Sequence, residues 1–189
     1  FAYLTDKRAP DMLVGRILRA GIPHARILSI DTSAAEALAG VVAVVTSRDI
    51  PGHNAYGIVL QDQPALCFDK VRHAGDAVAA VAAIDAATAE AALALIRVVY
   101  EPLPVVGDAA AALEPGAAAV HGGGNLQTEL TFSRGDIAAG FAEAAHIVER
   151  TYITSRQMHG FMETEGGYAR PEADGSLSVF VGGQHGARD

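Results

Sequence analysis

Lys70-Val71-Arg72-His73-Ala74-Gly75-Asp76-Ala77-Val78-Ala79-Ala80-Val81-Ala82-Ala83 is the stretch on which the fold turns. Its first half is a polar turn. Its second half, from Ala77 to Ala83, is an unbroken apolar run of strand length and reads as a buried strand. Asp85-Ala86-Ala87-Thr88 then starts a helix through Ala89–Ile96, alanine-rich and with few polar positions. Arg97-Val98-Val99-Tyr100-Glu101 returns to strand, and Pro102 and Pro104 stop it. Strand, helix, strand is the order of a parallel crossover. His73, Asp76 and Glu101 can be grouped into a polar constellation. Each stands where a strand edge or turn carries polar groups anyway, so they read as structural.

N-terminal to this stretch, Met12–Arg19 alternates as a strand with Arg16 outward. Gly21-Ile22-Pro23-His24 breaks it, since proline restricts the residue before it. Ala25–Asp31 is a second strand. Thr32-Ser33 offers a capping hydroxyl for a short helix, Ala34–Leu38, closed by Gly40. Val41–Thr46 is a buried strand by its β-branched content, and Ser47–Ile50 a single helical turn before Pro51-Gly52. His53–Gly57 and Gln61–Pro64 read as loops, and Leu66–Asp69 as a short strand holding Cys67. Together these elements form a compact α+β layer.

On the C-terminal side the composition changes. Residues 106–125 are dominated by Ala, Gly and Pro, lose periodicity and end near His121-Gly122-Gly123-Gly124, so they read as a linker between domains at 1–105 and 126–189. The glycines do not form a phosphate loop, because no Gly-Lys-Ser/Thr ending follows. Leu126–Ser133 reads as a strand, Asp136 as the cap of a helix Ile137–Ala145, and Ala145–Ile153 as the next strand. Gly166-Gly167-Tyr168-Ala169 and Ser176–Val181 flank Asp174-Gly175, a strong hairpin signal. Gly182-Gly183-Gln184 ends it. Paired glycines let a bulky ligand approach the backbone, and the Gln184 amide can donate or accept. The plain alternative is a surface hairpin with glycine turns.

Composition narrows the function classes. Of 189 residues half are hydrophobic and 19% charged, which supplies a substantial core. A net charge of −8 without a Lys/Arg cluster argues against nucleic acid and anionic membrane surfaces as partners. The single cysteine, Cys67, can form neither an intrachain disulfide nor an iron–sulfur site and reads as packing. That usage fits a reducing, cytoplasmic setting. No histidine pair has metal-ligand spacing, no glycine set makes a dinucleotide fingerprint, and no apolar run is long enough to span a bilayer. No signal-peptide pattern opens the chain. Phe1-Ala2-Tyr3 and Ala187-Arg188-Asp189 both read as cut ends of a longer polypeptide.

Several stretches together carry a resemblance. Pro23-His24-Ala25-Arg26-Ile27, Gly40-Val41 with Val44-Val45-Thr46 and Asp49, and Lys70–Val81 recur in one order. Val99-Tyr100-Glu101-Pro102-Leu103-Pro104, Gly135-Asp136, Phe141, and His159 with Met162-Glu163 follow them. The chain resembles the molybdopterin-binding subunit of the xanthine dehydrogenase and aldehyde oxidase family over nearly its whole length. Pro23-His24 lacks the extra Ala-His often found before Ala-Arg-Ile in that family. The resemblance implies an α+β fold: an α/β-hammerhead domain over residues 1–105, then the beginning of the molybdenum-cofactor-binding domain.

For the whole enzyme it implies oxidative hydroxylation of an N-heterocycle or aldehyde with oxygen from water. Molybdenum-molybdopterin would be the cofactor, with 2Fe-2S clusters and FAD on partner subunits or domains of a homodimeric complex. Gln184 matches the family glutamine whose amide lies at the molybdenum centre. His159 and Glu163 match a His…Glu stretch ahead of it and read as structural support. The Glu163 and Glu165 pair is not cast as the catalytic base, which in the family lies beyond the position of Asp189. No catalytic residue and no metal ligand is assigned within the chain. The rival reading is a non-catalytic hammerhead module for subunit contact, binding no cofactor by itself.

Overall fold

The computed structural model describes residues 2–183. They form two compact units: a larger one, Asp11–Leu130, and a smaller one joining the N-terminal segment up to Pro10 to the chain from Thr131 onward.

The larger unit is built on two three-stranded sheets. One orders β1 (Val14–Arg19), β5 (Ala77–Ala83) and β3 (Val41–Thr46), with β5 in the centre. The other orders β4 (Lys70–Val71), β2 (Ala25–Asp31) and β6 (Arg97–Pro102), with β2 in the centre. All these pairings are antiparallel. The helix α2 (Ala86–Leu95) therefore joins strands of different sheets, and the parallel crossover expected from strand–helix–strand order is not formed. The reason lies in β5. Both its edges are already bonded, to β1 and β3, so β6 has no free edge there and pairs with β2 instead.

Alternate residues of β5 explain the packing. Ala79, Val81 and Ala83 share one face and meet Ala35 of α1 (Ser33–Glu36), Ala89 and Ala92 of α2, and Ile96 in a buried cluster. Alanine on both layers lets helix and sheet approach closely, at the cost of little side-chain entropy. Asp85 starts α2 by accepting the Thr88 amide at 2.7 Å. An exposed ion pair, Arg16 Nε to Glu90 Oε1 at 2.9 Å, links β1 to the outer face of α2. Exposed pairs of this kind contribute about 0–1 kcal/mol, so the alanine contact carries the attachment.

The second sheet brings two of the recurrent stretches together. Ala25 lies opposite Pro102, Arg26 opposite Glu101 and Ile27 opposite Tyr100. His24, only 4% exposed, donates from Nδ1 to the Pro104 carbonyl at 2.6 Å, and its own carbonyl accepts the Leu103 amide. Its Nε2 is buried without a hydrogen-bond partner among the described residues.

Four local expectations are corrected. Leu66–Asp69 is not a strand, because the Asn54 side chain takes its backbone groups: Nδ2 donates to the Leu66 carbonyl, and Oδ1 accepts the Ala65 and Leu66 amides. The helix expected at Ala34–Leu38 is the shorter α1, and Thr32 does not cap it; Asp31 accepts the Ser33 amide instead. Leu126–Ser133 and Ala145–Ile153 are irregular, with Leu130, Phe132 and Ile153 at least 90% exposed. Between them α3 (Ile137–Glu143) forms, two residues shorter than the Ile137–Ala145 expected, with Asp136 accepting the Ala139 amide. A helix satisfies its own backbone, whereas a strand needs a neighbour, and no described strand lies beside those two runs. Residues 106–125 fall inside the larger unit, where Asn125 bonds the Ala112 and Ala118 carbonyls and the Val120 amide.

Several exposed carboxylates are held below the usual range by hydrogen bonds: Asp85 chiefly by the Thr88 amide, Asp49 by the Thr46 amide, Asp31 by the Ser33 hydroxyl. A depressed carboxyl stabilises the fold above its unfolded value, ordinarily 3.8, and loses that contribution as pH falls through the folded value. Melting temperature should therefore drop as pH is lowered below about 4. Asp85→Asn, which keeps a capping oxygen but cannot titrate, should make the drop shallower in a pH series of thermal melts.

Candidate functional site

The smaller unit carries the hairpin. β7 (Gly167–Pro171) and β8 (Leu177–Val181) pair antiparallel, with Gly167 opposite Val181 and Tyr168 opposite Phe180. The turn closes as its sequence predicts. Gly175 adopts φ 84°, and Asp174 accepts both the amide and the hydroxyl of Ser176.

One face of the hairpin satisfies itself. Tyr168 and Phe180 stack with centroids 4.6 Å apart, and Arg170 lies over the Phe180 ring at 5.8 Å. Glu172 accepts the Ser178 hydroxyl at 2.6 Å and the Arg170 guanidinium at 2.8 Å. Both interactions hold its carboxyl below the usual range, the hydroxyl contributing most. The opposite face presents Leu177, Val179 and Val181, each more than half exposed. Gly167 cannot be replaced without moving the ladder, since a Cβ there would lie 2.5 Å from the Phe180 carbonyl oxygen. Gly182 is different. Among the described residues a Cβ there meets nothing nearer than Leu4 Cδ1 at 4.0 Å, so its backbone has room beside it. Gln184, the residue assigned to cofactor binding, lies outside the described residues.

The other polar residues singled out from the sequence are not gathered into one cluster. His159 stacks on Phe161 with centroids 5.4 Å apart. Glu163 Oε1 accepts the Leu4 amide at 2.8 Å, and Glu165 makes no hydrogen bond or ion pair with it among the described residues. In the larger unit, Asp76 accepts the Arg72 and His73 amides, His73 Nδ1 accepts the Gly75 amide, and Glu101 pairs with Arg26 at 3.7 Å. These are local structural roles. Among the described residues no three His, Cys, Asp or Glu side chains come close enough to hold a metal ion. A concavity of about 370 Å³ in the larger unit is lined by His53, Asn54, Asp62, Phe68, Asp69 and Arg72. Sequence reasoning did not single it out, because its lining comes from segments separated along the chain that no spacing brings together.

Cys67 is 1% exposed, and its thiol is pushed up to about 12, first by burial and then by the nearby Asp76 carboxylate. A thiol in that state is not a nucleophile at neutral pH. Iodoacetamide at pH 8 should leave Cys67 unlabelled in the folded protein and label it fully in urea, read by intact mass. Native labelling at the denatured rate would contradict its placement in the core.

Comparison with known proteins gives the arrangement a context. The family model for the aldehyde oxidase and xanthine dehydrogenase a/b hammerhead domain matches residues 1–104, and that for the molybdopterin cofactor-binding domain matches residues 119–188. The chain is 50% identical to a probable xanthine dehydrogenase subunit of Bacillus subtilis (strain 168), over 99% of this chain and 25% of that protein. It is 39% identical to the nicotinate dehydrogenase large molybdopterin subunit of Eubacterium barkeri, over 97% of this chain and 43% of that one. Among solved structures, aldehyde oxidoreductase from Desulfovibrio gigas superposes with a TM-score of 0.85 at 30% identity, over 95% of this chain and 21% of that chain. Quinoline 2-oxidoreductase from Pseudomonas putida 86 gives 0.84 at 34% identity, over 95% and 24%. The chain thus spans less than half the length of each of these relatives.

Proposed function

Since this chain belongs to the aldehyde oxidase and xanthine dehydrogenase family, we propose that it supplies the hammerhead part and the start of the molybdopterin-binding part of a molybdenum hydroxylase. The observation that carries the reading is the unbroken order of the two family matches, 1–104 and 119–188, along one chain. The hammerhead part is assigned to about residues 1–105, with residues 106–125 joining it to the cofactor-binding part.

The residues present fit such a cofactor. Molybdopterin brings its metal on its own organic ligand, so it needs hydrogen-bonding and open backbone rather than a cluster of protein ligands. The chain offers a glycine backbone at Gly182 with room beside it among the described residues. Gln184, next after Gly182-Gly183, would hold the group through its amide, which donates or accepts without titrating. When bound, the cofactor supplies two-electron oxidation of a C–H carbon to C–OH, with oxygen from water and release of two protons. The protein's part is to bind and orient the cofactor and the substrate.

The substrate class we propose is an N-heterocycle, since the relatives at 50% and 39% identity are named for xanthine and nicotinate. The likeness to an aldehyde oxidoreductase at 30% supports the aldehyde alternative less strongly. The two electrons would leave through 2Fe-2S clusters and FAD on partner subunits. The names of relatives as subunits of larger complexes support such partners. The test is expression of the full-length protein in a host that makes molybdopterin, followed by molybdenum and pterin analysis and assay of N-heterocycles and aldehydes with a dye acceptor. Near-stoichiometric molybdenum with N-heterocycle turnover is expected. A correctly folded product without molybdenum would favour the non-catalytic module instead.

A further inference from the structure

The N-terminal segment forms a 3-10 turn, Leu4–Asp6, that is closed on itself. The Tyr3 amide donates to Asp6 Oδ2 at 3.0 Å, the Asp6 amide to the Tyr3 carbonyl, and the Lys7 amide to the Leu4 carbonyl. The Leu4 amide points the other way, as the first N–H of a helical turn must, and has no carbonyl within the turn to meet. Glu163 Oε1 takes it at 2.8 Å, across 159 residues of sequence.

Two further contacts lie at the same place. Thr5 Cγ2 sits against Gly166, where a Cβ would come within 2.9 Å of it, and Leu4 Cδ1 is the nearest atom to the Cβ position of Gly182. The turn therefore packs against the entry to β7 at Gly166, with Leu4 beside the exit from β8 at Gly182. Glu163 stands three residues ahead of Gly166 and anchors the turn there. Residues 145–166 make no backbone–backbone hydrogen bonds among the described residues, so this side-chain bond is a rare fixed point in that run.

We infer that Glu163 is a positioning residue: by accepting the Leu4 amide it clamps the N-terminal turn at the base of the hairpin, against the entry to β7 and beside the exit from β8. Its acceptor oxygen performs this task, and its negative charge does not. The link to molybdenum loading rests on the molybdopterin reading above; the clamp itself does not.

The experiment uses Glu163→Ala, Glu163→Gln and Gln184→Ala in the full-length protein expressed with its cofactor. Hydrogen exchange at the Leu4 amide and molybdenum content are measured beside turnover. Loss of one such bond should speed Leu4 exchange by about tenfold in Glu163→Ala and lower molybdenum content with it. Glu163→Gln, which keeps a carbonyl oxygen at the same reach, should restore both. Gln184→Ala should change turnover and leave Leu4 exchange as in the wild type. Unchanged Leu4 exchange in Glu163→Ala overturns the clamp. A Glu163→Gln variant as impaired as Glu163→Ala overturns the acceptor role and points to a role for the charge. Wild-type protein without molybdenum, but with the Leu4 exchange difference intact, would sink the molybdopterin reading and leave the clamp standing.

Discussion

Replacing Gln184 by alanine in the cofactor-loaded full-length protein should lower turnover by roughly a hundred- to a thousandfold, the cost of about 2.7–4 kcal/mol that follows loss of one preorganised donor at a reacting centre. The expectation rests on the match of Gly182-Gly183-Gln184 to the family glutamine and on the room beside Gly182 among the described residues. Molybdenum content matched to wild type would place the loss in the chemical step and not in loading. The hammerhead part should unfold as before, within about 0.5 kcal/mol, the usual range for a change remote from the core. Steady-state kinetics on the loaded protein and thermal unfolding of the 189-residue chain decide it together. Wild-type turnover in a fully loaded Gln184→Ala protein would remove Gln184 from the metal site.

The second large effect is on stability. Val81 is 2% exposed, central in β5, and bonded on one side opposite Arg16 and on the other opposite Val44. Its side chain belongs to a cluster made of Ala35, Ala79, Ala83, Ala89, Ala92 and Ile96, with no cation or donor among them. Val81→Asp would place a carboxyl where neither water nor a partner reaches it, and should cost roughly 4 kcal/mol or more, enough to unfold many domains of this size. Val81→Ile adds one methylene to a closely packed alanine layer and should cost about 1–3 kcal/mol through overpacking. Urea denaturation of both variants gives the comparison. An aspartate that costs less than the isoleucine would mean that β5 is not the centre of the core.

Much of the larger unit could be read from residues alone. The Ala77–Ala83 run and the Asp85 cap appear as expected, while the strand expected to stop before Pro102 runs through it, Pro102 lying opposite Ala25. The Asp174-Gly175 turn is local, because only φ and a side-chain bond to Ser176 are needed. The candidate site was less legible. Gln184 came from a family resemblance, since a glutamine after two glycines has no chemistry of its own that demands a metal.

Other features depend on partners that the sequence does not name. α2 is apolar nearly all round, so its pattern marks no buried side; contact with β5 chooses Ala89 and Ala92. Strand–helix–strand order permits a crossover, and only the occupied edges of β5 send β6 to β2. Leu126–Ser133 and Ala145–Ile153 have strand composition but no described neighbour to bond. Glu163 meets Leu4 at a separation of 159 residues, which no periodicity can show. The sequence by itself determined the helices and turns whose hydrogen bonds are satisfied within a few residues, and marked the runs whose dihedral preferences suit a strand. Which edges pair, which helix face is buried and which distant amide a carboxylate accepts were decided only by the tertiary structure, because each requires two surfaces to meet.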